Sequence, residues 1–206
     1  MKYVIAGYGR FGRIALERLK KVFPDREALI IENDREKLSE KLPSGTVAVN
    51  MDTVAFLSHT EALEPDDLIL PMVPFHLAAS YIMKTSQNIH EISLPDEIAT
   101  KAPNPIRINS STLLASRADF LCPDDCPEGE RCTITGRREE PLYRKLAAIT
   151  IPGFSVLVQQ SYQILPGVGG YPLGDLIKLS GKVAVGRYIV ATSCKCHAVL
   201  TAIEKN

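Results

Sequence analysis

Short apolar runs and helically spaced apolar positions take turns along the first part of the chain. The run Lys2–Gly7 (KYVIAG) is almost uninterrupted and ends in glycine, which predicts a buried first strand. Behind it, Phe11, Ile14, Ala15, Leu19 and Val22 recur close to the 3.6-residue period and predict a helix from about Gly9 to Val22. Glu17 and Lys21 stand four apart on its wet face, and Pro24 cannot continue it. The same alternation then repeats. Ala28–Asp34 (ALIIEND) reads as a second strand and Asp34–Leu42 as a short polar helix. Gly45–Asn50 (GTVAVN) and Asp66–Val73 (DDLILPMV) read as a third and fourth strand. Pro74–Lys84 is a helix with Pro74 near its first turn, and Asn88–Leu94 (NIHEISL) a fifth strand.

The later chain is less regular. Pro95–Asn109, rich in proline, asparagine and charge, reads as a loop, and Thr135–Ile149 is mostly polar. Phe154–Leu165 reads as one strand, Pro166–Pro172 as a glycine-rich turn and Leu173–Lys182 as a helix. Gly186–Ser193 (GRYIVATS) reads as a strand, and Cys194–Lys205 as a closing helix capped by Ser193. Strands alternating with helices predict an α/β fold with a doubly wound, mainly parallel, Rossmann-like sheet covered on both faces. The expected organisation is one domain over 1–206. Residues 1–94 form its dinucleotide-binding half, and the cysteine-bearing half, 95–206, completes the sheet.

Charge and composition narrow the function. Lys plus Arg number 24, Asp plus Glu also 24, so the chain lacks the basic excess of a nucleic-acid binder. No apolar run approaches the roughly 18–20 residues that span a bilayer, so no membrane insertion is expected. The N-terminus has no apolar segment followed by a small-residue cleavage site, and the expected location is cytoplasmic. In that compartment, clustered cysteines point to metal binding or redox chemistry before structural disulfides.

Gly7, Gly9 and Gly12 form a G-x-G-x-x-G pattern between the first strand and the first helix. In such a motif the first glycine permits the tight turn, the second lets backbone approach a pyrophosphate, and the third lets helix pack on strand. The helix N-terminus offers unpaired N–H groups to phosphate. Glu32 ends the second strand twenty residues after Gly12, where a carboxylate accepts both adenosine ribose hydroxyls and repels a 2′-phosphate. NAD is therefore the expected cofactor, with Arg35 nearby as the feature that softens the preference. Arg10, Phe11 and Asn33 complete the candidate contacts, and Arg10 and Arg13 flank the phosphate turn.

VIAGYGRFGRIALERL followed by ALIIENDREKL resembles the nucleotide-binding domains of potassium-transport regulators, the RCK or Trk type. The resemblance covers the first third to half of the chain. It implies a domain that binds NAD(H) or another adenine nucleotide, gates a transporter or channel, and uses Gly7, Gly9, Gly12 and Glu32 for nucleotide contact. It stops at VAVNMDT, where that family carries an acidic residue in a Gly-Asp context. DLILPMVPFHLAA looks more like dehydrogenases of the saccharopine type.

The five cysteines fall in two groups. Cys122, Cys126 and Cys132 are spaced x3 and x5, and Cys194 and Cys196 follow 61 residues later as Cys-x-Cys-His. Three readings stay open. The thiols hold a metal centre, either zinc or an iron–sulfur cluster, with Cys122, Cys126, Cys132 and one or both of Cys194 and Cys196 as ligands. Alternatively, two of them form a thiol–disulfide pair, or they are unreactive. Under the helical reading of the last segment, Cys194 and Cys196 lie in a first turn whose dipole stabilises a thiolate. His197 is a further ligand candidate. His76, just after the fourth strand, is either an acid–base group facing a nicotinamide or a helix cap. Gly167, Gly169 and Gly170 form either an anion-binding loop or a plain connection.

The function that follows is an NAD(H)-binding protein with a cysteine-ligated, redox-linked centre. The alternative is a nucleotide-sensing regulatory subunit. Expected partners are the dinucleotide and a redox or transporter protein, or a second copy of the chain. No catalytic triad, H-E-x-x-H or P-loop is present.

Overall fold

The computed structural model describes residues 1–206, except the side chain of Thr60. In chain order the elements are β1 (Tyr3–Ala6), α1 (Arg10–Val22), β2 (Ala28–Glu32), β3 (Thr46–Asn50), α2 (Thr53–Leu57), β4 (Leu68–Pro71), α3 (Leu77–Thr85) and β5 (Ile89–Glu91). There follow α4 (Asp96–Lys101), β6 (Ile106–Arg107), β7 (Thr112–Ser116), α5 (Leu142–Ala147), β8 (Ser155–Gln160), β9 (Tyr162–Leu165), β10 (Val168–Pro172), α6 (Leu173–Ser180), β11 (Gly186–Ser193) and β12 (His197–Lys205). Among the described residues no helix is long and apolar enough to cross a membrane.

The expectation of one doubly wound, mainly parallel sheet is overturned: the protein has two mixed sheets. The first runs β3-β2-β1-β4-β10-β9. Its first four strands are parallel, but β10 joins β4 antiparallel and β9 joins β10 antiparallel. The second runs β6-β7-β12-β11-β8, with β5 beside β12. There only β8 and β11 are parallel.

Two local events produce this outcome. The segment that reads as one strand breaks at Ser161, whose N–H donates to the Ser193 carbonyl. Its first part, β8, enters the second sheet and its second part, β9, the first. The closing segment expected as a helix is instead strand β12, paired with β11 from Ala198↔Ser193 to Lys205↔Gly186. The second sheet is buried on both faces, so its central strands carry near-continuous apolar runs without alternation. Such a run does not distinguish strand from helix. The glycine-rich turn is strand β10, and the expected loop 95–109 contains α4 and β6.

Packing follows from which face each side chain takes. Tyr3 and Ile5 of β1 meet Leu16 and Leu19 of α1, while Val4 and Ala6 point to the opposite side. There they share a core with α3 and α6, including Leu77, Ile82, Leu173 and Leu176. Val190 and Ile203 of the second sheet close that core from beyond. Ile189, Ala191, Leu200 and Ala202, on the sheet's other face, pack with Ile98 of α4 and Leu142 and Leu146 of α5. The layers therefore run α1, first sheet, α2 with α3 and α6, second sheet, α4 with α5.

His76, at the start of α3 in the central layer, ties that layer to two neighbouring strands of the second sheet. Its Nδ1 lies 2.9 Å from Thr201 Oγ1 and its Nε2 2.9 Å from Thr192 Oγ1. Burial drives its pKa down to about 3, so the ring is neutral. It caps α3 in position only, without a side-chain cap bond, and does not line the glycine-loop cleft.

Candidate functional site

Two clefts meet at the carboxyl end of β1 and β4. The first, about 870 Å³, is lined by Gly7, Gly9, Arg10, Phe11, Glu32 and Asn33. The sequence placed these six together, and the fold does so because β1 and β2 are parallel and in register. Lys37, Asp52, Thr53 and Pro71–Phe75 complete the wall. The sequence reading missed Asp52, although it caps α2 by accepting from the Ala55 N–H at 2.8 Å.

The three glycines serve different purposes. Gly7 has φ of +100°, and a β-carbon on it would lie 2.8 Å from the Met72 carbonyl oxygen. Gly12 is not part of the lining; a β-carbon there would overlap the Gly7 carbonyl oxygen, so it allows helix and strand to close up. A β-carbon on Gly9 would meet nothing within 4 Å. Gly9 thus faces open space at the amino end of α1.

Glu32 is buried at the cleft, 6% exposed. One carboxylate oxygen accepts from the Tyr8 N–H at 2.7 Å, the other from the Asp34 N–H at 3.0 Å. Burial raises its pKa, but these N–H groups and nearby Lys37 outweigh burial and leave it below the ordinary value. The side chain ties the glycine loop to the end of β2; Oε1 also lies 3.5 Å from Lys37 Nζ, so the free lone pair is on Oε2. Arg13 is turned aside. Its guanidinium stacks on Tyr8 at 5.2 Å and pairs with Glu40 at 3.2 Å. Arg10 instead reaches Asp124 at 3.3 Å, which joins the glycine loop to the cysteine segment.

The second cleft, about 660 Å³, is lined by all five cysteines. Their segments come from far apart and are held by the backbone. The Cys126 carbonyl accepts from the Gly167 N–H at 3.1 Å and from Gln163 Nε2 at 2.7 Å. Arg18 donates at 2.8 Å to the carbonyls of both Asp124 and Pro166. Cys194 and Cys196 sit in the tight hairpin between β11 and β12, not in a helix, so the expected dipole is absent there. Lys195, between them, donates to the carbonyls of Gly129 and Glu130. This clamp brings the two cysteine groups together.

The thiols differ in chemistry. Burial, then Glu128, pushes Cys194 up to about 12 and Cys196 up to about 11. Cys122 is raised by burial and by neighbouring Cys126, Cys132 and Glu128. Cys132 is lowered, because the Thr135 hydroxyl and the Thr135 and Ile134 N–H groups favour its thiolate. All five cysteines are free of disulfides. Glu128, which no spacing rule singled out, joins Cys194 and His197 in a group whose ligand atoms lie within 4.8 Å of one another.

The glycine-rich segment 166–170 borders the second cleft through Gly167–Gly169 and packs tightly against neighbouring backbone at Gly167 and Gly170. A β-carbon on Gly167 would overlap the Asp124 carbonyl oxygen, and one on Gly170 would lie 2.6 Å from that of Ile69.

Residues 72–206 match the family model AF_1314_C, described as "Uncharacterized protein, C-terminal domain". That match spans more than half of the chain. The chain belongs to this family. A protein of Archaeoglobus fulgidus, named only as an uncharacterized protein, is 25% identical over 220 aligned positions covering 98% of this chain and 99% of its own. No solved structure matches the chain. The family region begins at Met72, in the wall between the two clefts, and contains all five cysteines.

Proposed function

We propose that this protein binds NAD(H) in the glycine-loop cleft and couples it to a redox-active metal centre on the cysteines. One observation carries the reading: the two clefts share Phe11, Pro71 and Met72 as a common wall. A dinucleotide laid along the cleft from Glu32 past Gly9 ends at that wall.

The residues fit such a ligand. Gly9 leaves open space for a pyrophosphate at the amino end of a 13-residue helix. Glu32 Oε2 offers a free lone pair for a ribose hydroxyl. The cleft volume falls in the range of about 300–1,000 Å³ usual for small-molecule sites. Bound there, NAD(H) would supply a hydride donor or acceptor. The chain itself positions and shields. Phe11 and Met72 form an apolar partition, and the Lys195 clamp keeps the thiols opposite it.

The test is anaerobic purification, followed by measurement of iron, sulfide, zinc and visible absorbance, and a titration with NADH. Coloured protein whose absorbance changes on adding NADH supports the reading. Metal-free, colourless protein with five titratable thiols sinks it.

A second reading is favoured by the Arg10–Asp124 pair, which connects the glycine loop directly to the cysteine segment. In it the protein is a nucleotide-sensing regulatory subunit, and occupancy of one cleft repositions the other for a partner protein. Sustained NADH oxidation by the isolated chain with an added acceptor rules this out. Nucleotide binding without turnover supports it.

A further inference from the structure

The geometry points to a mononuclear zinc site formed by Glu128, Cys194 and His197, with its fourth position open to the cysteine cavity. It deepens the proposed function by giving Cys194 a metal of its own, and leaves Cys122, Cys126, Cys132 and Cys196 as a separate set of four thiols.

The arrangement has the dimensions of such a site. Cys194 Sγ lies 3.9 Å from His197 Nδ1. Sulfur and nitrogen bound to one tetrahedral zinc stand about 3.5 Å apart, from bond lengths of about 2.3 and 2.05 Å. The Glu128 carboxylate joins them within 4.8 Å, close enough for side-chain rotation to close the remaining gap. No fourth His, Cys, Asp or Glu joins this group among the described residues. Three protein ligands and one open position is the pattern of zinc sites that act on a ligand, whereas structural sites are closed by four.

The backbone fixes these atoms before any ion binds. Cys194 and His197 flank a tight hairpin in which the Cys194 N–H donates to the His197 carbonyl at 3.0 Å. The His197 N–H donates in return to Cys194 Sγ, at 3.4 Å. Glu128 has φ of +46°, an uncommon conformation for a residue with a side chain, and the Lys195 clamp on Gly129 and Glu130 holds it beside the hairpin. Sulfur, imidazole nitrogen and carboxylate oxygen together suit zinc, a borderline-soft ion that accepts all three. Thiolate and carboxylate also balance its two charges. On binding, Cys194 gives up its proton to solvent, and no electron moves. Arg137 and Arg117, the latter paired with Glu139 at 3.0 Å, line the same cavity and suit an anionic or carbonyl-bearing ligand.

The test is zinc binding by the full chain, using zinc alone as the probe, with iron, sulfide and visible absorbance read in parallel. Wild-type protein is expected to retain one zinc per chain. Glu128→Gln and His197→Ala are expected to weaken zinc retention at least about tenfold. They should leave the iron content and far-ultraviolet circular dichroism unchanged, because neither side chain lies in the core. Cys122→Ser is expected to leave zinc in place. The same pattern in iron-free protein upholds the zinc site while removing the cluster from the proposed function. Unchanged zinc retention in both Glu128→Gln and His197→Ala overturns the proposal. So does loss of zinc in Cys122→Ser with retention in His197→Ala.

Discussion

Gly167 lies against Asp124 with no room for a side chain between them: a β-carbon on the glycine overlaps the aspartate carbonyl oxygen. The Gly167 N–H also donates to the Cys126 carbonyl, and Arg18 binds the carbonyls on either side of the contact. The turn between β9 and β10 is therefore the seat of the cysteine segment. That segment has little regular structure of its own and takes its position from this seat and from the Lys195 clamp.

Gly167→Ala is expected to dislodge the cysteine segment. Its φ of +71° adds backbone strain to the overlap, and the combined cost is at least about 1–3 kcal/mol. Gly153 serves as a control. Its φ is +76°, yet a β-carbon there meets nothing within 4 Å, so Gly153→Ala should incur only the backbone cost of about 1–2 kcal/mol. Urea unfolding together with metal content checks the pair. Equal metal content in the two variants contradicts the role given to Gly167.

Gly9 and Gly12 should separate binding from folding. Gly9→Ala adds a methyl group to open space in the cleft, so unfolding should be nearly unchanged while NADH affinity falls about tenfold or more. Gly12→Ala forces a β-carbon into the Gly7 carbonyl, and overpacking of this kind costs about 1–3 kcal/mol or more. Calorimetric titration with NADH and thermal unfolding read the two effects apart.

Glu32→Gln should loosen the glycine loop. An amide placed toward the Tyr8 and Asp34 N–H groups loses at least one of their bonds, at about 1–3 kcal/mol for a buried unsatisfied group. The pH response has a definite sign. Because the folded pKa lies below the ordinary 4.5, Glu32 contributes its full stability above that value. The contribution is lost as pH falls through the lowered folded value. Acid unfolding of wild type and variant should converge at the low end, which a urea series at stepped pH will show.

His76 predicts a second acid dependence at higher pH. Its folded pKa of about 3 is far below the ordinary 6.5, so the unfolded chain binds a proton that the folded one refuses. Its contribution is complete above 6.5 and is lost as pH falls toward 3, with a slope of up to about 1.4 kcal/mol per pH unit. His76→Gln, able to keep one threonine partner, should flatten the stability curve between pH 6 and 4. An unchanged slope in that variant assigns the acid sensitivity elsewhere.

Much of the first sheet is legible in the amino-acid order alone. β1, α1, β2, β3 and β4 announce themselves because each buries one stripe or one short run and is closed by glycine, proline or a polar turn. Six residues of the glycine-loop cleft follow from the same local rules: Gly7, Gly9, Arg10 and Phe11 lie in one strand–turn–helix unit, and Glu32 and Asn33 end the next strand, which pairs beside it. Gly12 is legible as well, although its role is packing and not contact.

The later half is not legible in this way, and particular residues show why. Nothing local marks Ser161 as the place where one apolar run divides between two sheets; that is decided by its bond to Ser193. Val199 to Ile203 read as part of a helix because an apolar run does not by itself distinguish helix from strand; a partner strand on each side of β12 makes it a strand. The sequence by itself determined which residues are apolar, where the glycine loop lies, and that five cysteines occur in two groups. Only the tertiary structure decided that the groups face one cavity, that Glu128 and His197 join Cys194 there, and that the cavity abuts the glycine-loop cleft. The physical reason is range. Periodicity and turn chemistry act over a few residues, whereas the hydrogen bonds of Gly167, Arg18 and Lys195 join segments some 40 to 150 residues apart.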